Sequence, residues 1–230
     1  MKHIPNLITA TNLLLGCLAA VRLWEGNYRI ALICFILALL MDWLDGFAAH
    51  LLKAHSELGK QLDSLADMVT FGFLPGLGWY TLLRDTAIAD WSWLGFLYTV
   101  AAAFRLGKFN IDQNQSVDFS GLPSPAAAMF SLGYFYWWQQ DIYEYRQILE
   151  LPYIALLFLA IASLLMVSTI PMFSLKIKRL TWEGNAIKFI FVGIAIPILI
   201  IWKLAALLPL IGIYILISLV KWLFWKNNNS

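Results

Sequence analysis

The sequence predicts an all-α integral membrane protein with about eight transmembrane helices. Three observations carry that expectation. Of 230 residues, 61% are hydrophobic and 13% charged, whereas a soluble domain carries about 25% charged residues. The apolar runs approach the roughly 20 residues that cross a bilayer as a helix. They also recur along the chain, separated by short polar or glycine-bearing breaks.

The first span is expected at 7–23. The residues before it lead into an apolar stretch with no small-residue cleavage site ahead of a polar region, so it reads as an anchor and not as a cleaved signal. Glu25-Gly26-Asn27 closes it and opens the second span, 28–52. The third, 61–83, stops at Arg84-Asp85, and the fourth covers 91–110. Asp112 to Gly121 precedes a fifth span at 122–139, and Gln139 to Glu150 separates it from a sixth at 151–172. Lys176 to Asn185 leads to the last two, 186–202 and 204–225, which Pro197, Lys203 and Pro209 interrupt. A single bent re-entrant hairpin therefore stands beside two full spans. Helices are expected because lipid-exposed backbone must satisfy its own hydrogen bonds, and the runs are longer than barrel strands. One membrane domain over 1–230 follows, ending in a C-terminal helical pair at 186–226.

Charge sets the orientation. The N-terminus, the 53–60 loop, the 105–121 and 173–188 loops and the C-terminus hold Lys2, Lys53, Lys60, Arg105, Lys108, Lys176, Lys178, Arg179, Lys188, Lys221 and Lys226. The opposite side holds Arg22, Arg29, Arg84, Arg146 and Lys203. This bias puts both termini and the 53–60 loop in the cytoplasm, facing the inner membrane of a bacterium if the source is bacterial. Trp24, Trp91, Trp93, Trp137, Trp138, Trp222 and Trp225 read as interfacial anchors. A net charge of +2 argues against a nucleic-acid partner. Cys17 and Cys34 lie in apolar runs without metal-type spacing and read as small buried residues.

Of fourteen acidic residues, four fall within one short stretch: Asp42, Asp45, Asp63 and Asp67. A carboxylate at mid-bilayer costs about 2.5–3.5 kcal/mol on insertion scales, and four together repel one another. Packing gives no reason to keep them, whereas a bound cation does. Asp42 and Asp45 are three apart, and Asp63 and Asp67 four apart, so each pair shares a helix face. A turn near 53–58 brings the two faces together. Hard divalent cations take oxygen ligands, and Mg²⁺ is commonly held by a few carboxylates together with substrate phosphate. Gly46, Ala49 and Gly59 lie on the same faces. They read as a cleft that lets a bulky ligand approach the backbone, with close helix packing as the alternative.

Asp42, Asp45, Gly46, Ala49 and His50, followed after eight residues by Gly59, Asp63 and Asp67, resemble the signature of the CDP-alcohol phosphatidyltransferase family, D-xx-D-G-xx-A-R-x8-G-xxx-D-xxx-D. Seven of its eight specified positions match. The departure is His50, where the family usually has Arg; a neutral imidazole offers neither a permanent charge nor a bidentate fork. A single hydrogen bond to substrate and a helix cap both remain open for His50.

The resemblance implies a six-helix core at 4–176 with two added C-terminal helices, a homodimer, and two Mg²⁺ or Mn²⁺ ions held by Asp42, Asp45, Asp63 and Asp67. Asp67 is then also the general base. Asn6, Thr9, Gly46, Ala49 and Gly59 are expected around the CDP-lipid. From spacing alone, Asn6, Thr9 and Asn12 form a polar stripe able to bond other helices.

Further stretches resemble the branch of that family that makes phosphatidylserine: Pro5 to Asn12, Asp63 to Gly72, Phe104 to Asn110, Gly121 to Ala128, and Met166 to Pro171. The implied substrates are CDP-diacylglycerol and L-serine, with Arg105, Lys108 and Ser124 as serine-binding candidates. Lys108 stands where that branch more often has Arg. Read physically, Ser124-Pro125 looks like an N-cap followed by a first-turn proline, and the helix start it marks favours an anion. Positive-inside anchoring is the plainer reading of Arg105 and Lys108. His3 and His55 are expected at the membrane surface.

Glycerol phosphate, inositol phosphate or an amino alcohol are alternative acceptors. An intramembrane prenyltransferase also uses two Mg²⁺-binding aspartate motifs, but those lie far apart in sequence. A cation-coupled transporter would show internal repeats, and none is visible here.

Overall fold

The computed structural model describes residues 3–54, 56–111, 119–173 and 185–228. His55, Lys2, Lys176, Lys178 and Arg179, the 112–118 stretch, and the side chains of Trp225 and Lys226 lie outside what is described.

Helix α1 (Ile4–Trp24) and helix α2 (Tyr28–Leu51) form the first pair. They are joined at Gly26, whose φ of +79° suits the tight turn. The Asn27 side chain accepts a hydrogen bond from Ile30 N at 3.2 Å and so caps α2. Alanines at 19, 20, 31 and 38 are buried between the helices and let them approach closely. Helix α3 (Glu57–Asp67) starts at Ser56, whose Oγ accepts from Gly59 N at 3.0 Å.

The expected third span is interrupted. A π-helical turn, Met68–Phe73, separates α3 from α4 (Leu74–Arg84). Pro75 has no N–H to offer the carbonyl four residues back, and its ring crowds that position, so the helix widens locally. Beside it, the Gly72 carbonyl accepts from Thr99 Oγ1 at 3.1 Å. Thr99 lies on α5 (Leu97–Ile111), which a 3₁₀ segment, Ala89–Phe96, precedes.

Helix α6 (Ser124–Gln140) runs through the centre of the molecule, and Trp79, Tyr98, Phe71, Tyr134 and Phe135 are fully buried in the surrounding core. Trp138, expected at the interface, is buried instead, edge-on to Tyr28 at 5.7 Å, because the end of α6 packs against α2. A short helix α7 (Arg146–Leu149) leads to α8 (Pro152–Val167).

The expected sixth span is shorter than 151–172. Ser168 is extended and ends α8, and strand β2 (Pro171–Met172) pairs antiparallel with β1 (Phe119–Ser120). Among the described residues the fold is therefore helical with one two-residue ladder. Helix α9 (Ala186–Trp202) and helix α10 (Leu207–Asn228) are joined by a 3₁₀ turn, Lys203–Ala206, where Lys203 has φ +50°. By length and composition, α1, α2 and the stretch Ala186–Phe224 are apolar enough to cross a membrane. Several long apolar helices of this kind fit a membrane protein.

Candidate active site

The two aspartate pairs come together where α2 and α3 both pack against α1. Asp42, Asp63 and Asp67 each offer a carboxylate oxygen, and these oxygens lie within 4.8 Å of one another. Among the described residues, Asp67 Oδ1 is buried with no hydrogen-bond partner. Three half-buried carboxylates at this separation, one with an orphaned oxygen, fit a hard divalent cation. Asp45 is turned toward α1, where its Oδ2 accepts from Thr9 Oγ1 at 2.6 Å.

Beside the carboxylates opens a cavity of about 510 Å³. Asn6 and Thr9 from α1, Asp45, Gly46 and Ala49 from α2, and Gly59 and Asp63 from α3 all line it. Asp63 thus faces both the cavity and the carboxylate trio. Gly59 keeps this wall open: a Cβ there would come 2.9 Å from Asn6 Oδ1 and 3.0 Å from Ser56 Oγ, and those side chains would have to shift.

Three further polar lining residues were not singled out from the sequence: Ser56, Glu57 and Lys60. The available signal was the N-cap spacing from Ser56 to Gly59, which turns the start of α3 toward the cavity. Lys60 entered only as one charge among many. His50, by contrast, is exposed in the last turn of α2 and is not among the residues lining the cavity.

Asn12 is fully buried and accepts from Thr70 Oγ1 at 3.0 Å. It therefore ties α1 to the π-helical turn and does not reach the cavity. Gly16, one turn along, permits this closeness, because a Cβ there would collide with Thr70.

Arg105 and Ser124 meet on the far side of Asp67. Arg105 Nη1 donates to Ser124 Oγ at 2.9 Å, and the guanidinium lies over the Phe109 ring at 5.6 Å. Arg105 is close enough to Asp67 for their charges to attract. Ser124 is not the N-cap expected from the sequence. Pro123 holds that position in extended geometry, Ser124 is the first helical residue, and its hydroxyl is left for Arg105. Lys108 is exposed one turn further along α5. Asn110 links α5 to α3 by donating from Nδ2 to Ser64 Oγ at 2.8 Å.

Comparison with known proteins agrees with this geometry. A model of the CDP-alcohol phosphatidyltransferase family matches residues 2–168. A CDP-diacylglycerol–serine O-phosphatidyltransferase of Bacillus subtilis is 37% identical over 133 residues, 56% of this chain and 73% of the relative. One from Helicobacter pylori is 31% identical over 226 residues, covering 96% of this chain and 91% of the relative. An archaetidylserine synthase of Methanothermobacter thermautotrophicus is 32% identical over 129 residues, 55% of this chain and 54% of the relative.

Proposed function

The chain belongs to the CDP-alcohol phosphatidyltransferase family, and on that premise we propose that it transfers a phosphatidyl group from CDP-diacylglycerol to the hydroxyl of L-serine, giving phosphatidylserine and CMP. The observation that carries the reading is the shared Asp63, which joins a nucleotide-sized cavity to a carboxylate trio. The serine acceptor is supported by the relatives, whose names specify serine with bacterial and archaeal lipids alike.

In this reading Asn6, Thr9, Gly46, Ala49 and Gly59 cradle the CDP-lipid, with its acyl chains left among the lipid-facing helices. Asp42, Asp63 and Asp67, with Asp45 alongside, hold Mg²⁺ or Mn²⁺, two ions in the full assembly. The metal, when bound, supplies charge neutralisation for the diphosphate and the leaving phosphate oxygen. Arg105, with Ser124 beside it, binds the serine carboxylate, and Lys108 adds positive charge at the entrance. Asp67 accepts the serine hydroxyl proton as the serine oxygen bonds to the lipid-bearing phosphorus. The bond from that phosphorus to CMP breaks, and CMP departs with the electron pair.

The test is CMP release by purified protein given CDP-diacylglycerol, Mg²⁺ or Mn²⁺, and a panel of alcohols. Serine should be required. Equal turnover with glycerol phosphate or inositol phosphate would replace serine as the acceptor and leave the phosphatidyl transfer standing.

The same reading takes 1–230 as one membrane domain of eight spans, with both termini and the cleft facing the cytoplasm and two copies forming a homodimer. Single cysteines introduced at Lys53 and Arg146 should label from opposite sides of the membrane, and in-membrane crosslinking should trap dimers. Labelling of both from one side would overturn the topology.

A further inference from the structure

The matched family region ends at residue 168, yet α10 and the turn before it pack along α6, and α9 adds the buried ring of Phe191. Three fastenings hold α10 and the turn before it along α6. Trp137 Nε1 donates to the Ala205 carbonyl at 2.7 Å. Gly133 lies so close to the chain at Leu208 that a Cβ would come 2.6 Å from Leu208 N. The third lies at the opposite end, nearest Ser124, where Tyr214 OH donates to the Phe173 carbonyl at 3.0 Å.

The third fastening leads back to the site. Phe173 follows strand β2, which pairs with β1 through Phe119↔Met172 and Ser120↔Pro171. Beyond β1, Gly121 N donates to the Ile170 carbonyl at 2.9 Å, and Leu122 N to the Leu165 carbonyl at 2.8 Å. Gly121 has φ +78° and sits against the carbonyls at the end of α8, a place only glycine fills without strain. Three residues later comes Ser124, the acceptor of the Arg105 hydrogen bond. Tyr214 is itself buried between the Phe173 and Phe191 rings, at 4.7 and 6.0 Å, so its hydroxyl is aimed by packing.

We infer that the C-terminal helical pair is part of the acceptor site, with Tyr214 as a positioning residue: its bond to Phe173 holds the β-ladder that sets Ser124 against Arg105. The inference rests on the reading of Arg105 as the serine-carboxylate ligand. It gives the two C-terminal helices a task in selecting the alcohol, separate from the nucleotide cavity, which is built from α1, α2 and α3.

The experiment measures CMP release by the full-length protein, its Tyr214→Phe variant and its Arg105→Ala variant, varying serine and CDP-diacylglycerol separately. Tyr214→Phe keeps the ring and removes one oxygen, so the fold and melting temperature should persist. Loss of one buried hydrogen bond should raise the serine KM about three- to tenfold, with the CDP-diacylglycerol KM unchanged. An unchanged serine KM, or equal rises in both KM values, overturns the inference. The Arg105→Ala arm separates the two failures. If it raises the serine KM and Tyr214→Phe does not, the brace alone is wrong. If it leaves the serine KM untouched, the Arg105 reading fails and the inference with it.

Discussion

Thr9 has one hydroxyl proton and two acceptors in reach. Its Oγ1 lies 3.0 Å from the Pro5 carbonyl and 2.6 Å from Asp45 Oδ2. The shorter contact to a charged oxygen takes the proton. Both residues are buried, at 4% and 6% exposure, so water does not replace a lost donor freely. Thr9→Val keeps the side-chain shape and removes that donor. A hydrogen bond to a charged group contributes about 1.5–3 kcal/mol, which corresponds to about ten- to hundredfold in an affinity. Because Asp45 lines the nucleotide cavity, the effect should appear as a higher KM for CDP-diacylglycerol, while the serine KM stays within about twofold. The assay is CMP release in mixed micelles with each substrate varied in turn. Thr9→Ser, which restores the hydroxyl, should recover most of the loss. A Thr9→Val enzyme with an unchanged CDP-diacylglycerol KM, or with the serine KM altered instead, would refute the assignment of Thr9 and Asp45 to the nucleotide side.

Asp67→Asn should lower kcat by about 10²–10⁴-fold, the usual contribution of a general base, while CDP-diacylglycerol still protects the protein from thermal unfolding; near-normal turnover removes Asp67 from that role. Chelation with EDTA should abolish CMP release and Mg²⁺ or Mn²⁺ should restore it; activity that persists after chelation excludes a metal function for Asp42, Asp63 and Asp67. His50→Ala should leave the CDP-diacylglycerol KM within about twofold, since the side chain is exposed away from the cavity; a larger rise would return position 50 to the diphosphate. Gly16→Ala drives a methyl into Thr70 and should lower the melting temperature in detergent by about 2–10 °C; an unchanged melting temperature means that α1 and the π-helical turn have slack.

Much of the site was legible because its periodicity is local. Asp42 with Asp45, and Asp63 with Asp67, are each paired by helical spacing within one element, and the short link between α2 and α3 keeps the two pairs near each other. The same logic covers Gly46, Ala49 and Gly59, which share faces with the carboxylates. Apolar run lengths likewise sufficed to locate α1 and α2 to within a few residues. They were a poorer guide at 61–83 and 151–172. At the first, a proline converts one turn to a wider helix; at the second, a ladder partner more than 40 residues away draws the chain out of helix.

What tertiary structure decided is which polar groups find one another across elements. Asp45 faces Thr9, so one of four similar carboxylates carries a hydrogen-bond donor from α1, while Asp67, grouped with Asp42 and Asp63, keeps one buried oxygen without a partner. Ser124 could be read as a cap from its neighbours, yet Pro123 takes that position and releases the hydroxyl to Arg105. Tyr214 carried no motif at all. Its role depends on an α10 that crosses α6 at the level where a backbone carbonyl 41 residues earlier needs a donor. Residue spacing specifies which side chains share a face. Only packing specifies what that face meets, because a buried donor and acceptor pair according to distance in space, with no record of their separation along the chain.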